Sequence, residues 1–84
     1  SWNSVPEADV FVALLRKWQR DYGAELVALS SDTLDIRVTR RPATQQEALV
    51  IAREHAKFCP SAEVTIAERA AELMHLDWWH FWWD

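Results

Sequence analysis

The sequence predicts an α+β domain with helices on one face of a three-stranded, mainly antiparallel sheet, in the order helix, strand, strand, helix, helix, strand. Three observations lead there. The signature S/T-x-x-E, in which a hydroxyl and a carboxylate satisfy the first free amides of a helix, occurs at Ser4/Glu7, Thr44/Glu47 and Thr65/Glu68, each time ahead of apolar residues spaced three or four apart. Leu34, Ile36 and Val38 alternate with Asp35, Arg37 and Thr39, the period of a strand with one wet face. The segment Trp78-Trp79-His80-Phe81-Trp82-Trp83-Asp84 is so aromatic that it favours a strand.

In the first helix Phe11, Leu14, Leu15, Trp18 and Tyr22 form one stripe, with Asp9, Arg16 and Arg20 turned away from it. Gly23, the one glycine in the chain, stands where a left-handed residue closes a helix. From Glu25 to Ser30 the apolar residues Leu26, Val27, Ala28 and Leu29 run without interruption, which suits a strand buried on both faces and places it in the middle of the sheet. Ser30, Ser31 and Asp32 supply the turn into the alternating strand, and Arg40, Arg41 and Pro42 break the chain after it.

The second helix carries Ala48, Ile51, Ala52, His55 and Cys59 on one side and Glu47, Glu54 and Lys57 near the other, and Pro60 stops it. The third aligns Ile66, Ala70, Leu73 and Met74, keeps Glu68, Arg69 and Glu72 outside, and ends before Asp77. Because a two-strand hairpin is marginal alone, the aromatic segment is needed as the third strand.

Composition limits function. The chain has 84 residues, 50% of them hydrophobic, with six Trp, three Phe and one Tyr to fill a small core. Nine basic residues against 13 acidic ones give a net charge of −4, so nothing draws the chain to nucleic acid or to anionic lipid. One cysteine cannot form an internal disulfide, and the expectation is a cytoplasmic protein that does not enter a membrane.

As a strand, the C-terminal segment sends Trp79, Phe81 and Trp83 to one face and Trp78, His80, Trp82 and Asp84 to the other. Only one set can meet the helices. The second set, beside a hairpin face that bears Asp35, Arg37 and Thr39, is the candidate interaction surface, since tryptophan dominates protein contact hot spots. The expected partner is another protein, a second copy of the chain, or an N-terminal region of a longer parent.

Several stretches together resemble a bacterial family, domain of unknown function 4253. They are Val12-Ala13-Leu14-Leu15-Arg16-Lys17-Trp18, Tyr22-Gly23-Ala24-Glu25-Leu26-Val27, Arg41-Pro42, Glu47-Ala48-Leu49, Phe58-Cys59-Pro60 and the terminal Trp78 to Asp84. The length of the chain is that of one domain, residues 1–84, and the resemblance, which covers nearly all of it, implies a type of domain that often ends a longer protein. It implies no reaction, substrate or cofactor.

Chemistry has few footholds in the residues themselves. His55 and Cys59 stand four apart on one helix, a spacing that can grip a metal ion, and His75 and His80 are the remaining histidines for a zinc site. The same pair can be read as a thiol nucleophile with its base, which makes a small metal- or thiol-dependent enzyme the alternative to a binding module. Against that reading, Cys59 sits at a helix C-terminus, where the dipole disfavours a thiolate, and is expected to be a buried free thiol. Glu54 beside His55, and Asp77 and Asp84 near His80, form no ordered triad. With its only glycine used at a helix end, the chain has no glycine-rich phosphate loop and calls for no cofactor. Arg37, Arg40 and Arg41 are the one basic cluster, a solvated strand end or, if they converge, an anion contact.

Overall fold

The computed structural model describes residues 8–83. The capping pair Ser4/Glu7 and the terminal Asp84 lie outside them. The elements follow the expected order: α1 (Ala8–Tyr22), β1 (Glu25–Leu29), β2 (Thr33–Arg37), α2 (Gln45–Phe58), α3 (Ile66–Leu73) and β3 (Trp78–Trp82). Both described capping signatures hold. The Thr44 hydroxyl accepts from the Glu47 amide at 3.1 Å, while the Glu47 carboxylate reaches one residue further back, to the Ala43 amide. At α3 the box is reciprocal, with the Glu68 amide donating to Thr65 Oγ1 and the Thr65 amide to Glu68 Oε1, both at 3.1 Å. Hydrogen bonds to the Glu68 carboxyl from the Thr65 amide, and secondarily from the Thr65 side chain, hold it below its ordinary pKa.

Gly23 ends α1 at φ 63°, with its amide bonded to the Gln19 carbonyl at 3.0 Å. A second reason for glycine is visible only in three dimensions, because a Cβ there would collide with Thr39 Oγ1. The amides of Thr39 and Arg40 both bond to the Tyr22 carbonyl, so the exit of β2 is fastened to the end of α1 at this crossing.

The strand order is β1-β2-β3, antiparallel throughout. This corrects the expectation that β1 is central: β2 is the middle strand, and all five residues of β1 are exposed. An unbroken apolar run reads alike whether a strand is covered on both faces or simply bare. The helices lie over β2 and β3, so β1 protrudes beyond them. Between β1 and β2 the register slips at Val27, a β-bulge: Leu26 pairs with Ile36, but Ala28 pairs with Asp35 and Leu29 with Leu34.

The core is aromatic, as the sequence requires. Trp18 of α1 is fully buried and meets His55, Phe58, Trp79 and Phe81 at ring-centroid distances of 5.0–5.9 Å. Phe58, placed by its phase toward the core, belongs to this cluster although the stripe read on α2 ran from His55 to Cys59. Glu54 is also more than an outward-facing acid. Its carboxylate accepts from the Trp18 indole at 2.9 Å and pairs with Lys17, clamping α1 to α2 at the edge of the core.

Candidate functional site

Alternation and pairing place the aromatic strand's side chains. Trp79 stands opposite Ile36 and Phe81 opposite Leu34, all of them buried under the helices. Trp83 follows, with its indole donating to the Phe58 carbonyl at 3.1 Å. On the other side of the sheet Trp78 stands opposite Arg37, His80 opposite Asp35 and Trp82 opposite Thr33. Among the described residues no helix covers that side, and Trp78 and Trp82 remain 51% and 56% exposed.

Cross-strand geometry organises the middle of this face. His80 Nδ1 lies 2.5 Å from Asp35 Oδ1, a contact 45 residues apart in sequence. One strand further, Arg37 Nη2 lies 3.6 Å from Glu25 Oε2. The face therefore has two indoles along one strand, a His–Asp pair between them and an Arg–Glu pair beside Trp78. The structure brings together Trp78, His80, Trp82 and Arg37, while Asp84 lies outside the described residues. The sequence places Asp35 on the polar hairpin face beside this set but pairs it with no partner, and assigns Glu25 no part in the site. With β1 placed in the middle, the third strand has β1 as its neighbour, and the pairing of Asp35 with His80 is invisible.

The residues of the alternative chemistry do not converge. His55 is 2% exposed, packed edge-on against Trp79 and Phe81, and neither ring nitrogen has a hydrogen-bond partner among the described residues. Burial lowers its pKa from 6.5 to about 3, with the Arg69 charge adding to the effect. Cys59 is half-buried rather than enclosed, its thiol donating to the Trp82 carbonyl at 3.1 Å, and burial pushes its pKa up, away from a thiolate. The cavity beside the two holds about 20 Å³, room for about one water. His80 is on the opposite side of the sheet and His75 is exposed beyond α3. Among the described residues no three His, Cys, Asp or Glu side chains are grouped to hold a metal ion.

The basic cluster disperses as well. Arg37 meets Glu25, Arg41 donates to Asp77 at 2.8 Å, and Arg40 donates to the carbonyls of Arg20 and Asp21. Arg40 thus satisfies free acceptors at the C-terminal end of α1, where a cation is favoured. No helix among the described residues is long and apolar enough to cross a membrane.

Comparison with curated proteins and with solved structures gives no match. The family model described as Domain of unknown function (DUF4253) matches residues 1–84, so the chain, with its aromatic third strand and the paired polar groups beside it, belongs to that family.

Proposed function

We propose that the domain is a non-catalytic protein-binding module whose contact surface is the sheet face opposite the described helices, around Trp78, His80 and Trp82, with Arg37 at its border. The observation that carries this reading is two half-exposed indoles held on a backbone ladder, where little conformational freedom remains to be lost on binding. Indole and guanidinium groups are the side chains most enriched where truncation weakens protein complexes. The charge balance favours a protein over nucleic acid: Arg37 already meets Glu25, and the chain carries a net −4.

The test compares wild-type protein with the Trp78→Ser/Trp82→Ser variant in affinity capture from the native host, followed by hydrogen exchange on the captured complex. The double variant should stay folded, bind at least about tenfold more weakly, and the wild-type complex should show protection on β2 and β3. Capture of the same protein by both variants overturns the reading. So does protection confined to other elements.

A further inference from the structure

We propose that two copies of the chain pair through β1, antiparallel about a two-fold axis between Val27 and Ala28, to make a continuous six-stranded sheet. The starting point is the edge itself. Proteins usually protect such an edge with lysine, proline or a bulge, and β1 has neither of the first two. Leu26, Val27 and Leu29 are 51%, 47% and 61% exposed. Beside them, α1 and β1 enclose a mainly apolar groove of about 240 Å³ lined by Val12, Leu15, Leu26 and Ile36 together with Arg16 and Gln19.

The bulge selects the occupant. It takes up one residue between Leu26 and Leu29, so both leucines lie on the helix side of the sheet, opposite Ile36 and Leu34. The Ser30 amide bonds to the Thr33 carbonyl, and antiparallel alternation along β2 then turns the backbone groups of Leu29 and of Leu26 outward, away from β2. A regular peptide strand would fall out of step across three residues. A second copy has the same extra residue in the opposed position, so Leu26 meets the partner's Leu29 and Leu29 meets the partner's Leu26, both as hydrogen-bonded pairs on the same face.

Side chains and charge agree with that register. Each Leu29 arrives beside the other copy's Leu26, at the mouth of the apolar groove, so knob and groove are exchanged twice, as an isologous contact requires. Glu25 is the one charged residue of β1, and the register sets it opposite Ser30 of the other copy rather than against its own equivalent, despite the net −4 of each chain. The opposite edge is less open, because the Cys59 thiol occupies the outward carbonyl of Trp82. Closed pairing of β1 with β1 is thereby preferred to open growth of β1 on β3.

Sedimentation at on the order of 100 μM, the weak end of specific association, should show a dimer for the wild type and a monomer for Leu29→Lys, with a dimer Kd at least about tenfold weaker. Trp78→Ser/Trp82→Ser should remain dimeric, which separates this surface from the one proposed for partner binding. In the wild type the amides of Leu26 and Leu29 should exchange more slowly at high than at low protein concentration, a readout that decides the matter even where Leu29→Lys fails to fold. A monomeric wild type, a dimeric Leu29→Lys, a dimer lost only in the tryptophan variant, oligomers that grow with concentration, or exchange indifferent to concentration would each overturn the proposal.

Discussion

β1 and β3 are the two edges of one sheet, each five residues long and each antiparallel to β2, yet β3 buries alternate side chains and β1 buries none. The difference lies in what the helices bring to each side. On the β3 side, Trp18, His55 and Phe58 from α1 and α2 interlock with Trp79 and Phe81, and the end of α2 reaches the strand's outer edge through Cys59 and the Phe58 carbonyl. On the β1 side the described residues offer only the flank of α1 and a groove. One edge is anchored by aromatic packing from two helices, whereas the other hangs from its hydrogen bonds to β2. Stability should accordingly be concentrated at β3.

The strongest way to break that contrast is Trp79→Ala, which should cost about 3–5 kcal/mol by chemical denaturation, a large share of the roughly 5–15 kcal/mol that holds a domain. A loss below about 1 kcal/mol would show that β3 is no anchor. Acid probes the same packing without mutation. His55 is held neutral in the fold, with its pKa lowered from 6.5 to about 3, while the unfolded chain takes up a proton below about 6.5. The contribution of neutral His55 to stability is then fully present above pH 6.5 and is lost as pH drops toward 3, by on the order of 5 kcal/mol in total. Denaturation midpoints measured across that window should slope steeply in the wild type and much less in His55→Phe.

Next in size is Glu54→Ala, which removes the acceptor of the buried Trp18 indole and should cost about 1–3 kcal/mol. Glu54→Gln, which keeps an acceptor, should recover most of the loss, and equal losses in the two variants would assign the effect to the Lys17 ion pair instead. The smallest effect is expected on β1: Val27→Thr, measured at low concentration where association does not contribute, should stay within about 0.5 kcal/mol. A larger loss there would place part of the core under β1.

Local signals proved legible and lateral ones did not. Thr44, Thr65 and Gly23 act on their own neighbours along the chain, so their capping roles can be read from a few residues. The alternation of Trp79, Phe81 and Trp83 against Trp78, His80 and Trp82 likewise needs only a period of two. Strand order depends on which surfaces the helices cover, and that is decided by Trp18 and Phe58 meeting β3 across the fold. The candidate site inherited the same blind spot. Its tryptophans were visible from spacing, but Asp35 facing His80 follows from which strand lies next to which, and Glu25 facing Arg37 from the bulge that sets the hairpin register. The spacing of His55 and Cys59 was real, but spacing carries no information about depth, and depth sets the character of both groups.

The pairing of β2 with β3 spans 45 residues between Asp35 and His80, and this has a consequence for synthesis on the ribosome. A nascent chain that has reached the end of α3 holds a hairpin whose Leu34 and Ile36 have no Phe81 or Trp79 beside them. Elongation at roughly 5–20 residues per second leaves that apolar strip bare for seconds, far longer than a hairpin takes to form. The domain cannot close until residues 78–82 have left the exit tunnel, after every other described element has been made. Rare codons ahead of Trp78 would lengthen the exposed interval, and chaperone demand should track that delay rather than the stability of the finished fold.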